Sequence, residues 1–164
     1  MRIAAALLAL TALSACGLRP LYGGGVEGPV RVTMASIQVA AIPGQSGWLM
    51  SNALRDRLNV GAEAPPRYRL EVRLDDQISG LGVRRDDSVT RERRTLRARY
   101  QLIDLSTGAV VLDATAGSDA GIDVVGSEYA TIAAEQSALE RLSGIVADQI
   151  VARIARYAKS NAAK

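Results

Sequence analysis

Thr95-Leu96-Arg97-Ala98-Arg99-Tyr100-Gln101-Leu102 alternates without a break between polar and apolar side chains. A period of two belongs to a β-strand with one buried face, because successive side chains leave a strand on opposite sides. Followed outward, the pattern predicts a long strand from about Val89 to Leu105. Leu96, Ala98, Tyr100 and Leu102 face inward, while Arg91, Arg93, Thr95, Arg97, Arg99 and Gln101 face outward. Upstream, Arg67 to Leu74 repeats the alternation, with Tyr68, Leu70, Val72 and Leu74 on one side and Arg67, Arg69, Glu71 and Arg73 on the other. Ser79 to Ser88, which contains Gly and Asp, reads as the connection between these two strands. Downstream, Ser106-Thr107-Gly108 is a short turn into a further strand, Ala109 to Ala116, so the two flanking strands are expected to form an antiparallel hairpin.

Helical periodicity brackets this strand region. Gly117 to Gly126 reads as a loop, after which Ser127 and Glu128 are suited to opening a helix. It is expected to run to about Ala158 on the apolar stripe Ile132, Leu139, Leu142, Val146, Ile150, Ile154 and Tyr157, whose spacings of three, four and seven keep one face apolar. Gly144 inside it costs about 1 kcal/mol relative to Ala, unless it permits close packing. At the other end, Val30 to Val39 is β-branched and apolar and reads as a first strand ending at Pro43-Gly44. Ser46 is placed to cap a helix to about Leu58, with Trp48, Leu49, Ala53, Leu54 and Leu58 near one face, and Gly61 to Pro66 then breaks the chain.

The expected order is β, α, β, β, β, α, each element apolar on one side only. Such elements bury their surfaces as an α+β two-layer sandwich, two helices packed on one face of a four-stranded mixed sheet. Leu70, Val72, Leu96, Tyr100, Leu142, Val146 and Ile150 are expected in one core. The other sheet face stays open and carries Arg67, Arg69, Arg73, Arg91, Arg93, Arg97 and Arg99 against Glu71 and Asp75. Arginine is a permanently charged planar fork suited to phosphate or carboxylate, so this face is the candidate ligand or partner site. The alternative is a solvated face with cross-strand ion pairs.

Composition narrows the chemistry. The chain of 164 residues has no His and one Cys, which removes Ser-His-Asp and Cys-His catalysis and any zinc site built on His or several Cys. Neither a catalytic residue, a metal nor a cofactor is assigned. Asp75-Asp76 and Asp86-Asp87 are adjacent pairs whose members point to opposite faces of a strand, so they read as solvated carboxylates near strand ends. Gly23-Gly24-Gly25 has neither a strand before it nor a helix directly after it, so it is no phosphate loop. The formal net charge is +3, too small for bulk nucleic-acid binding, and no aromatic interleaves with the arginines to stack on bases. No nucleic-acid partner is expected.

Residues 1–15 hold Arg2, an apolar run from Ile3 to Leu13, and Ser14-Ala15 before Cys16. This is the layout of a signal peptide, too short to span a hydrocarbon core of about 20 helical residues. Leu13-Ser14-Ala15-Cys16 resembles the bacterial lipobox, in which the thiol receives a diacylglycerol, the leader is cut before the Cys and the new amine is acylated. Several acyl chains at roughly 0.8 kcal/mol per buried CH₂ hold a protein stably, where one does not. Cys16 is thus the expected lipidation site and membrane anchor. Gly17 in place of Asp favours the outer membrane, by sorting rules resembling those of enteric bacteria. The expected organisation is leader 1–15, Gly- and Pro-rich tether 16–29, domain 30–158 and tail 159–164.

Three stretches together resemble the lipopolysaccharide-assembly lipoprotein family (LptE family). They are Cys16-Gly17-Leu18-Arg19-Pro20-Leu21-Tyr22-Gly23, Gly47-Trp48-Leu49-Met50-Ser51-Asn52-Ala53-Leu54 with Leu58, and Thr90-Arg91 to Tyr100-Gln101-Leu102-Ile103-Asp104, followed by the closing Ala/Leu/Ile helix. The resemblance implies two helices on a four-stranded sheet. It also implies a non-enzymatic protein that plugs a large outer-membrane lipopolysaccharide-assembly β-barrel (LptD-like), helps it assemble, and binds lipopolysaccharide through basic residues. An auxiliary adaptor lipoprotein of an envelope lipid transporter is the alternative role.

Overall fold

In a computed structural model, residues 28–58, 65–83, 89–124 and 126–162 are described. Three helices and four strands follow in the order α1 (Pro29–Ala35), β1 (Ile37–Val39), α2 (Gly44–Leu58), β2 (Tyr68–Val83), β3 (Val89–Asp104), β4 (Val110–Asp123) and α3 (Glu128–Ala162). The sheet order is β1-β2-β3-β4. β1 runs parallel to β2, and the other neighbours are antiparallel. This is the expected α+β arrangement with a mixed sheet, enlarged by one helix.

That extra helix corrects the reading of Val30–Val39 as a strand. Pro29 in the first helical turn presets φ and needs no N–H partner there, and the Thr33 hydroxyl donates to the Pro29 carbonyl at 2.9 Å. One turn then buries Val30 and Met34 together. Packing of this pair outweighs the weak strand preference of Val30, Val32 and Thr33, and only Ile37–Val39 remains extended.

Both outer partners of β3 are longer than expected. β2 continues past Leu74 to Val83 and β4 past Ala116 to Asp123, each pairing residue by residue with the 16-residue β3. The Gly, Ser and Asp positions read as loops are tolerated because β3 supplies a template along its whole length. At Gly117 a Cβ would lie 2.5 Å from Arg97 Cδ, so a side chain there would displace the Arg97 arm from its present course. The β3–β4 turn forms as expected, with Gly108 at φ +70 and its N–H donating to the Asp104 carbonyl at 2.8 Å. Asp86-Asp87 lies outside the described residues.

The core holds all seven side chains expected in it, joined by Met50, Leu54, Leu102, Leu139 and Ile154. Two expectations within the helices fail. Trp48 is 64% exposed, because α2 begins at Gly44 and turns Met50, Leu54 and Leu58 inward, which places Trp48 on the far side of the helix. Ile132 is exposed because α3 overhangs α2. The Gln45 amide donates to Gln136 at 2.9 Å and Arg57 to Asp148 at the other end, so the helices run side by side and the turns before Gln136 have no helical neighbour there. α3 also continues beyond Ala158 to Ala162.

Candidate functional site

The outward side of the sheet is built in rows. Across β2, β3 and β4, Glu71, Gln101 and Asp113 share one row, Arg73, Arg99 and Thr115 the next, and Asp75, Arg97 and Gly117 the third. Arg93 lies farther along β3 between Ser79 and Gly121, and Arg91 lies opposite Asp123. No described helix covers this side, and Arg73, Arg91, Arg93, Arg97 and Arg99 are exposed.

The expected charge balance of seven arginines against Glu71 and Asp75 is corrected by β4. Asp113, within the expected part of β4, shares this face, and the extension to Asp123 adds Asp119 and Asp123 to it. Arg91 pairs with Asp123 at 3.0 Å, Arg97 with Asp119 at 3.9 Å, Arg99 with Asp113 at 3.1 Å and Arg69 with Glu71 at 3.0 Å. The cross-strand pairing that defines the solvated-face alternative is therefore present. Arg67 precedes β2 and sits 5.2 Å from the Tyr68 ring centroid, a cation–π contact apart from the row.

Two arginines are left over. Among the described residues, Arg73 and Arg93 have no carboxylate within 4.0 Å. Arg73 stands directly opposite Arg99, an arrangement that destabilises a sheet when like charges face one another. Around this pair the twisted sheet forms a concavity of about 710 Å³ lined by Arg73, Asp75, Arg97, Arg99, Thr115 and Gly117, among others. A smaller hollow of about 180 Å³ lies beside it, between Glu71, Arg73, Arg99 and Gln101. The structure thus brings three of the seven expected residues, Arg73, Arg97 and Arg99, around one cavity, and sets Arg67, Arg69, Arg91 and Arg93 outside it.

Hydrogen bonds fix the charge state. Asp113 accepts from Arg99 and from Gln101, which holds its carboxyl below the usual carboxylate range, while the same contact pushes Arg99 up. Guanidinium groups at a fixed spacing can hold an anion through paired N–H donors but cannot exchange protons near neutrality. The described residues contain no metal-binding group of carboxylates or Cys, and none of their helices is long and apolar enough to cross a membrane. Cys16 lies outside the described residues.

Residues that the alternation did not single out flank this site. Gly117 donates its N–H to Gln149 Oε1 at 3.1 Å, and Gln149 Nε2 donates back to the Gly117 carbonyl at 3.3 Å. Gln149 thereby brings the polar side of α3 to the rim of the cavity. A helix residue has no visible link to a strand in the sequence, so no local signal marks it.

A family model, LptE: Lipopolysaccharide-assembly, matches residues 34–154. No curated protein matches. Among solved structures, a protein from Caulobacter crescentus CB15 designated a lipoprotein is 26% identical with a TM-score of 0.69, over 82% of this chain and 98% of that one. The minor lipoprotein from Acinetobacter baumannii is 15% identical with a TM-score of 0.57, over 74% and 94%. The rare lipoprotein B from Shewanella oneidensis is 14% identical with a TM-score of 0.55, over 79% and 98%. The last two share the fold.

Proposed function

Because the chain belongs to the LptE lipopolysaccharide-assembly family, we propose that it is an outer-membrane lipoprotein, held by acyl chains on Cys16. In this reading it binds and plugs the lipopolysaccharide translocon barrel, supports the assembly of that barrel, and takes up lipopolysaccharide on its open sheet face. The family is a non-enzymatic one, and the role is one of binding and placement. The observation that carries the lipopolysaccharide part is the row in which Arg73 faces Arg99 above an uncovered cavity. A like-charge pair that costs stability in the free protein becomes favourable when a phosphate or carboxylate sits between the two forks. Arg97 closes the third side.

The test compares the native chain with the variant Arg73→Gln/Arg97→Gln/Arg99→Gln. Lipopolysaccharide binding is measured over a range of salt, and copurification with the barrel from solubilised outer membranes is measured alongside. Exposed contacts are screened beyond about 8 Å at physiological salt, so the expected result is weaker lipopolysaccharide binding with a shallower salt dependence. Unchanged affinity and unchanged barrel yield would make the face a solvated one. Loss of the barrel alone would assign the arginines to the protein partner.

A further inference from the structure

β4 is the last strand of the sheet, and no described strand pairs with its outer edge. Along an antiparallel pair, alternate residues direct their N–H and C=O toward the partner strand and away from it. Gly117 spends both groups on the Gln149 carboxamide, so the edge-directed set is Asp113, Thr115, Gly117 and onward in steps of two. The side-chain amide of Gln149 sits where the peptide group of a further strand would sit. Among the described residues, nothing fills the equivalent places beside Thr115 and Asp113.

A groove lies along this edge. It encloses about 560 Å³ between β4 and α3, floored by Tyr100, Ala114, Ala116 and Ala152, with Arg153 and Arg156 on the far wall. Gln149, Arg153 and Arg156 are spaced four and seven along α3 and therefore share one face of the helix. Their span is roughly 10 Å at 1.5 Å per residue, against roughly 14 Å from Asp113 to Gly117 at about 3.4 Å per residue. Arg153 and Arg156 have no carboxylate partner among the described residues. Open strand edges in monomeric proteins are usually short, covered or blocked by inward-pointing charge, and among the described residues this one is blocked only at Gly117.

We propose that the Asp113–Gly117 edge of β4, with Gln149, Arg153 and Arg156 of α3, is a strand-addition site for an extended acidic segment of a partner protein. Main-chain bonds to the edge supply binding without dependence on sequence, and pockets for alternate side chains supply selectivity. On an added strand, the side chains turned toward α3 pass over the small residues of the floor and reach the two guanidinium groups, which select carboxylates there. The inference needs neither the barrel nor lipopolysaccharide to be the natural partner.

The test uses the full chain, labelled with nitrogen-15, and a blocked peptide, acetyl-Glu-Val-Glu-Val-Thr-Val-amide. The peptide is expected to shift the amides of residues 113–117. Methylating its nitrogens along one edge should abolish binding, and methylating those along the other should leave it. Arg153→Glu/Arg156→Glu is expected to weaken binding at least tenfold. Thr115→Pro removes an edge-directed N–H without breaking a ladder bond and should have a similar effect. Absence of shifts at 113–117 at millimolar peptide, or equal binding of both methylated peptides, overturns the proposal. So does a charge-reversed variant that loses lipopolysaccharide binding while keeping the peptide, since the arginines would then serve a lipid phosphate.

Discussion

Arg94 of β3 grips both carboxylate oxygens of Asp76 on β2, at 2.9 and 2.7 Å, and gives a further N–H to the Glu135 carbonyl of α3 at 2.9 Å. The side chains are 12% and 19% exposed. One guanidinium therefore ties the far end of the β2–β3 hairpin to the overhanging turns of α3. Asp76 is accordingly not the solvated carboxylate expected of it, although Asp75 and Asp76 do point to opposite faces.

Removing one partner leaves a charge largely out of water. Arg94→Gln or Asp76→Asn is expected to cost about 3 kcal/mol, the lower end for a broken buried pair because some solvent reaches both groups. The joint replacement Arg94→Leu/Asp76→Leu should recover much of the loss. Urea unfolding of the four proteins checks this, and equal stability of native chain and single variants would refute it.

Leu142 and Ile150 are fully buried in the layer between α3 and the sheet. Truncating either to Ala removes contacts that the surroundings only partly recover, so a loss of about 2–5 kcal/mol is expected in urea or thermal unfolding. Ile132→Ala, on the overhang, should change stability by less than about 1 kcal/mol, in line with ordinary surface substitutions.

These cases show what could be read in the sequence. β3 announced itself because every second residue from Leu96 to Leu102 is apolar, and the middle of α3 did so because its stripe faces the sheet. Alternation in β4 ends at Ala116 because Gly117 and Gly121 carry no signal of it, and the charge balance read from the sequence therefore lacks Asp119 and Asp123. The arginine face was visible as a face, but the unpaired state of Arg73 follows from register, which depends on which residues of β2 and β4 lie opposite β3. α1 has no helical signature because Val30, Val32 and Thr33 are β-branched and favour a strand. Arg94 and Gln149 act across elements and leave no mark within their own.

The Arg99–Asp113 contact makes a pH prediction. Asp113 is held below its ordinary value of 3.8, first by the Arg99 hydrogen bond and then by Gln101. A folded-state value depressed in this way adds stability that is present above the unfolded carboxylate value and is lost as pH falls through the folded one. Arg99→Gln should therefore raise the Asp113 titration toward the ordinary range, followed by carboxyl carbon-13 shifts. Solvent reaches both side chains, which makes the effect on total stability small, and an unmoved Asp113 midpoint would show that the pair does not persist in solution.

Anchoring through Cys16 predicts a mature mass that begins at that residue and carries acyl chains. Cys16→Ala should abolish lipid labelling and, in membranes without the barrel partner, release the domain, since no described helix is long and apolar enough to cross a bilayer. An intact mass with a free thiol would end that assignment.

Arg73 separates binding from architecture. It has no acidic partner among the described residues and lies opposite Arg99, so its charge contributes repulsion rather than pairing. Facing like charges destabilise a sheet by roughly 0.2–1 kcal/mol. Arg73→Thr removes the repulsion and introduces a β-branched residue suited to a strand, so it should leave the fold unchanged and raise stability by a few tenths of a kcal/mol. If the cavity holds the phosphates of lipopolysaccharide, the same substitution should weaken that binding and flatten its salt dependence. Arg69→Thr, which only releases Glu71, should do neither. A rise in stability coupled to a loss of affinity cannot come from damage to the fold, so the two measurements together assign Arg73 to the ligand. Unchanged affinity in Arg73→Thr would remove it from the site.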